Sequence, residues 1–181
     1  MSDIGLAFPR SCGRIFTAIS HFAPAMRKRA DSKLVIERIT RDSFDDLIVL
    51  VEELAKFEKL APPDDAAKRR LRRDILSKNP KCEAYLGRLG SRHIAYVIFY
   101  YTYSSFGAYP NLYLEDIFVL EEFRRRGIGQ AMFDFCMERA RRKGCGRIEF
   151  TVLDWNKAAQ RFYGMNRAEK TNWQFYRLKL K

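Results

Sequence analysis

The chain has 181 residues, a formal net charge of +12 and a hydrophobic content of 47%, which suits one soluble globular domain with a single sizeable core. No run approaches the roughly 18 to 20 apolar residues of a membrane-spanning helix. Cys12, Cys82, Cys136 and Cys145 lie far apart, without a Cys-x-x-Cys or a histidine pair, which indicates neither a metal site nor a disulfide scaffold and fits a reducing, cytoplasmic setting.

In chain order, Met1 to Lys33 lacks periodicity and contains Pro9, Gly13 and Pro24. It reads as a flexible N-terminal extension, with a transit peptide or a start at Met26 as the other readings. A strand is expected over Leu34 to Ile39. Caps at Thr40 to Asp42 then open an amphipathic helix marked by Phe44, Leu47, Ile48, Val51, Leu54 and Ala55. Pro62 and Pro63 end it. A second helix, roughly Asp64 to Ser77, has Ala67, Leu71, Ile75 and Leu76 on one side and a basic run on the other. Strands follow at Cys82 to Leu89 and Ile94 to Tyr103 around the Gly90-Ser91-Arg92 turn. His93 has no partner at useful sequence spacing and is read as structural.

The most informative stretch comes next. Leu112 to Leu120 reads as an apolar strand interrupted by Glu115 and Asp116, and it runs directly into Arg124-Arg-Arg-Gly-Ile-Gly-Gln130 at the head of a helix extending to about Lys143. The glycines permit close backbone approach, the first-turn amides have no intrahelical acceptor, and the helix N-terminus favours negative charge. The arginines add charge-assisted contacts, so the loop is a cradle for a pyrophosphate. No Gly-Lys-Ser/Thr follows, and the turn is one glycine short of the dinucleotide fingerprint. A strand near Arg147 to Leu153, a turn at Asp154-Trp-Asn156, a short helix carrying Phe162 and Tyr163, and a last strand over Trp173 to Leu180 complete the chain. The other basic clusters, at Arg27 to Arg29, Lys68 to Arg73 and Arg139 to Lys143, read as solvated faces. No RNA-binding, helix-turn-helix or zinc-finger pattern accompanies them.

Arg124-x-x-Gly127-x-Gly129, followed in order by Leu153-Asp-Trp-Asn156 and Phe162-Tyr163, resembles the GNAT superfamily of N-acetyltransferases. With Leu54 to Glu58, Phe99 to Tyr103, Tyr113 to Asp116 and Trp173, the chain from Leu34 to Leu180 looks like the diamine acetyltransferase group, which comprises spermidine/spermine and thialysine acetyltransferases. The resemblance implies an α/β fold over residues 34–181, with a mixed central sheet flanked by helices and split between its fourth and fifth strands. It implies acetyl-CoA, bound by Ile117, Phe118 and Val119 of the strand, by Arg124, Arg125, Arg126, Gly127, Ile128, Gly129 and Gln130 of the loop, and by Asn156 and Ala159. A homodimer is implied as well.

Transfer of an acetyl group to an amine requires a base, because an amine of pKa near 10.4 is about 99.9% protonated at pH 7, and a donor for the leaving thiolate, whose thiol has a pKa near 8.5. By resemblance Glu115 is the base and Tyr163 the acid. Strand alternation would place Glu115 and Asp116 on opposite faces, unless the bulge known in relatives intervenes. Phe57, Glu58, Glu115, Asp116, Trp155 and Trp173 are the expected amine-binding residues, by charge pairing and cation–π contact. In two places the sequence departs from the pattern. Ser104 stands where polyamine-specific relatives have an acid, and Arg167 stands where relatives have a glycine after the catalytic helix, with Gly164 arriving early. A protein N-terminal or lysine acetyltransferase, and a basic acyl-CoA or nucleic-acid-binding module without activity, are the alternative functions.

Overall fold

The computed structural model describes residues 33–180, so all of the expected N-terminal extension but its last residue lies outside the described residues. Strand β1 (Val35–Arg38) leads into helices α1 (Phe44–Glu58) and α2 (Asp65–Leu76). Strands β2 (Glu83–Leu89), β3 (Arg92–Ser104) and β4 (Tyr109–Val119) follow, then helix α3 (Ile128–Arg142), strand β5 (Ile148–Glu149) and helix α4 (Lys157–Met165). The sheet order is β1-β2-β3-β4-β5, antiparallel throughout except for the parallel β4–β5 pair, so the architecture is the expected mixed α/β fold.

Periodicity in the sequence becomes two cores. Phe44, Leu47 and Leu50 of α1 and Ile75 of α2 pack with Leu86, Tyr96, Ile98 and Phe118 on one face of the sheet. Met132, Phe133, Cys136 and Ala140 of α3 pack with Val97, Phe99, Leu112 and Leu114 on the other. Each large apolar side chain buried in this way contributes roughly 1.5–3 kcal/mol. A Cβ on Gly87 would stand 3.0 Å from the Met132 sulfur and 3.1 Å from the Ala95 Cβ, so a glycine lets α3 lie close to the sheet. The cap of α2 is Asp64, whose carboxylate accepts from Ala67 N, whereas α1 is preceded by Ser43, paired reciprocally with Thr40.

His93 does have partners. Its Nδ1 lies 2.8 Å from Asp46 of α1 and its Nε2 2.8 Å from Glu37 of β1, so it ties three elements together in a structural role that no sequence spacing could reveal.

Two elements depart from expectation. Ladder pairing of β5 with β4 covers only Leu112↔Ile148 and Tyr113↔Glu149, after which the strands part; this is the expected split, opening earlier than the apolar run to Leu153 suggests. The predicted strand over Trp173 to Leu180 is irregular and exposed. Its residues have suitable β propensity, but a strand also needs a neighbouring edge to accept its backbone hydrogen bonds, and among the described residues no strand pairs with it.

Candidate active site

The register of β4 creates the site. Phe99 pairs with Leu114 and Ile98 with Asp116, so Glu115 is an extra residue, a β-bulge opposite the Ile98/Phe99 step. Without the bulge, two consecutive acids would point to opposite faces. With it, the charges of both Glu115 and Asp116 are felt by Tyr96 and by Cys82, on the face covered by α1 and α2. The Tyr96 hydroxyl donates to Asp116 Oδ2 at 3.3 Å. Burial, followed by the neighbouring Glu115 charge, pushes the Asp116 carboxyl up to about 6. Burial also raises Glu58, at the end of α1. The charges of Glu115 and Glu58 both act on Asp116, so the three carboxyl groups are neighbours, and a cation beside them would ease the ionisation of Asp116.

Beyond β4 the chain turns through Arg125 (φ 59°) and Gly127 (φ 76°) into α3, whose N-terminus has no side-chain cap. The Ile128, Gly129 and Gln130 amides precede the first helical hydrogen bond, from Ala131 N to Gly127 O. Nothing lies within 4 Å of a Cβ built on Gly127, so the turn is open at that position. Arg125 and Arg126 are exposed around them. On the other wall, Asn156 caps α4 by accepting from Ala159 N at 3.0 Å, while its amide nitrogen has no partner among the described residues. Uncapped amides, two exposed arginines and a spare amide donor fit a pyrophosphate and its pantetheine arm.

The profile of the Acetyltransferase (GNAT) family matches residues 48–166, which includes the bulged strand, the loop and α4. The chain belongs to the GNAT acetyltransferase family. It is 33% identical over 148 residues to a thialysine N-epsilon-acetyltransferase of Caenorhabditis elegans, an alignment covering 79% of this chain and 90% of that protein. It is 35% identical over 108 residues to an L-ornithine N5-acetyltransferase of Arabidopsis thaliana, covering 58% and 47% respectively. A possible acetyltransferase from Clostridium difficile 630 superposes with a TM-score of 0.72 at 17% identity, over 82% of this chain and 98% of that one. This protein is thus an acetyl-CoA-dependent amine N-acetyltransferase.

In this GNAT chain Tyr163 is buried in α4, stacked on Phe150 at 4.0 Å between ring centroids and edge-on to Phe133 at 5.7 Å. Burial, then Cys136 and Asp116, holds its phenol pKa well above the ordinary value, so the hydroxyl stays protonated. The Asp116 charge also acts on the Tyr163 phenol, after burial and Cys136. Among the other expected residues, Phe57 meets Trp155 at 5.5 Å, with Glu58 following it in α1. Trp173 is 87% exposed and has no aromatic partner among the described residues, so it is not brought to this group. Arg124 points inward, with its Nε donating to the Val119 carbonyl at 2.8 Å. Ser104 is the buried last residue of β3, and its Oγ accepts from Gly107 N of the turn that follows. Arg167 adopts φ 62°, the left-handed geometry a glycine would take, and Ala168 N closes onto Tyr163 O, so the exit from the helix survives the substitution.

Tyr96 escaped the sequence reading. The only signal for it is its place in the β3 alternation, which becomes meaningful once the register sets it beside Asp116 and Phe118.

Proposed function

We propose that the chain acetylates the primary amine of a lysine-like amino acid or a short diamine, with Glu115 taking the amine proton through water and Tyr163 donating to the departing thiolate. The observation that carries this reading is the bulge at Glu115, which breaks the strand alternation that would otherwise set two adjacent acids on opposite faces. Acetyl-CoA supplies the acetyl group as a thioester. The chain's own residues would hold it at the Arg125 to Gln130 amides, the Asn156 amide and the outer edge of β4 around Ile117 to Val119. Phe57, Glu58, Asp116 and Trp155 would surround the incoming ammonium. A buried, protonated Tyr163 suits hydrogen-bond donation to sulfur as charge develops there.

The thialysine and ornithine acetyltransferases to which the chain is similar are named for amino acids with a side-chain amine, which supports this substrate class. At Ser104, the last residue of β3, no acid stands to hold a distal ammonium, which supports short amines over spermine. A homodimer is supported by the exposed Trp173, Phe175, Tyr176, Leu178 and Leu180, an apolar C-terminal segment that a second copy would cover and through which Trp173 would reach a site. Cys82, Cys136 and Cys145 are free, in keeping with a cytoplasmic setting. Among the described residues no helix is long and apolar enough to cross a membrane. We further assign residues 34–181 to the acetyltransferase domain and residues 1–33 to an extension.

The test is a thiol-release assay with thialysine, ornithine, lysine, diaminopropane, spermidine, spermine and basic peptides at fixed ionic strength. Preference for thialysine, ornithine or diaminopropane is expected, with Glu115→Gln lowering kcat/KM and altering its acidic limb. Spermine or peptides as the best substrates, or an unchanged pH profile in Glu115→Gln, would remove the assignment.

A further inference from the structure

Three arginines precede Gly127, and the structure separates them. Arg125 and Arg126 are exposed, whereas Arg124 is half-buried. Its Nε–H is committed to the Val119 carbonyl at 2.8 Å. Its guanidinium carbon lies 4.7 Å from the ring centroid of Phe57 and 5.4 Å from that of Phe118. Each ring leads further. Phe57, in the last turn of α1 beside Glu58, meets Trp155 in the turn that follows β5. Phe118 meets Tyr96 at 6.1 Å, and Tyr96 donates to Asp116.

These contacts span the split. Below Tyr113 and Glu149 no ladder joins β4 to β5, so backbone pairing does not set how far apart the two walls stand. Arg124 belongs to the wall that continues β4 and Trp155 to the wall that continues β5, with Phe57 lying against both. A planar guanidinium, fixed by one hydrogen bond and faced by aromatic rings, is a rigid spacer in a way that a flexible lysine ammonium is not.

We propose that Arg124 is a positioning residue for the amine and not a phosphate ligand: it holds Phe57 as a strut between the two walls, and thereby sets where Glu58 and Trp155 stand around the substrate. The pyrophosphate is left to the loop amides, Arg125 and Arg126. This inference rests on the amine-site reading given above, and its test therefore includes a readout that needs no substrate.

The full chain is compared as wild type, Arg124→Lys, Arg124→Met, Phe57→Leu, Phe57→Tyr and the Arg124→Met/Phe57→Leu double variant, with folding checked by circular dichroism. Acetyl-CoA Kd is measured by calorimetry, and KM and kcat with the best amine. Arg124→Lys, which retains the charge and loses the plane, is expected to raise the amine KM about tenfold while acetyl-CoA Kd stays within about twofold. Phe57→Leu should do the same, Phe57→Tyr, which keeps the ring, should raise the KM less than Phe57→Leu does, and the double variant should be no worse than the worse single. A tenfold rise in acetyl-CoA Kd with the amine KM unchanged would make Arg124 a phosphate ligand and overturn the proposal, leaving the acetyltransferase assignment intact. Multiplicative effects in the double variant would overturn it too. In a Trp173→Phe background, where Trp155 is the remaining tryptophan, Arg124→Met and Arg124→Lys should both shift the emission of Trp155. An unchanged spectrum in both contradicts the strut even if none of the amines is turned over.

Discussion

The Tyr96 hydroxyl donates to Asp116 Oδ2 across 3.3 Å, and this contact ties the bulge of β4 to the core under α1. It partly offsets a larger effect of opposite sign, since burial and the Glu115 charge raise the Asp116 carboxyl to about 6 from an ordinary value near 3.8. Where folding raises a carboxyl pKa, the folded state binds the proton more tightly than the unfolded one. The favourable contribution is then fully present below about pH 4 and is lost as pH rises through 6.

Asp116→Asn should therefore stabilise the protein relative to wild type at pH 7.5, by roughly 1 to 2 kcal/mol after allowance for partial hydration. The advantage should shrink to near zero by about pH 4. Urea unfolding of both proteins across pH 4–8 measures it, and a pH-independent difference would mean that Asp116 does not titrate in this range. In the wild type, amine KM should also rise as pH falls through 6, when the carboxylate that meets the ammonium is neutralised.

Tyr163→Phe should lower kcat about a hundredfold or more with little change in the KM for acetyl-CoA. The hydroxyl has no hydrogen-bond partner among the described residues, so its removal leaves no buried group unpaired. Thermal unfolding should accordingly match wild type to within a few tenths of a kcal/mol. A large loss of stability would assign the residue to the Phe133/Phe150 core alone.

Gly127→Val is predicted to weaken acetyl-CoA binding at least tenfold. The free loop has room for the side chain, but valine disfavours φ 76°, and its methyl groups would stand where the amides meet a phosphate. Calorimetry gives the affinity. Circular dichroism should show an intact fold, because the position is exposed.

Arg167→Gly should raise stability by about 0.5 to 1 kcal/mol, roughly 1 to 3 °C in Tm. A non-glycine residue pays about 1 to 2 kcal/mol to sit at φ 62°, and the greater freedom of glycine in the unfolded chain returns part of that gain. Calorimetric melting of the two proteins decides it.

From the sequence alone one could read the order of the elements, the amphipathic helices, the anion-binding loop and the acid-bearing strand, because each depends on spacing between near neighbours. Phe44 and Leu47 repeat at helical period whatever they pack against, and Gly127 marks a turn by its own backbone freedom. Tertiary structure alone decided the rest. Whether Glu115 and Asp116 face the same way depends on the pairing of β3 with β4, where one unpaired residue reverses the outcome. The inward turn of Arg124 required Phe57, more than sixty positions away in the chain, to arrive beside it. Trp173 to Leu180 has the composition of a strand and does not form one, since backbone hydrogen bonds in a sheet come from a neighbour that no local pattern can supply.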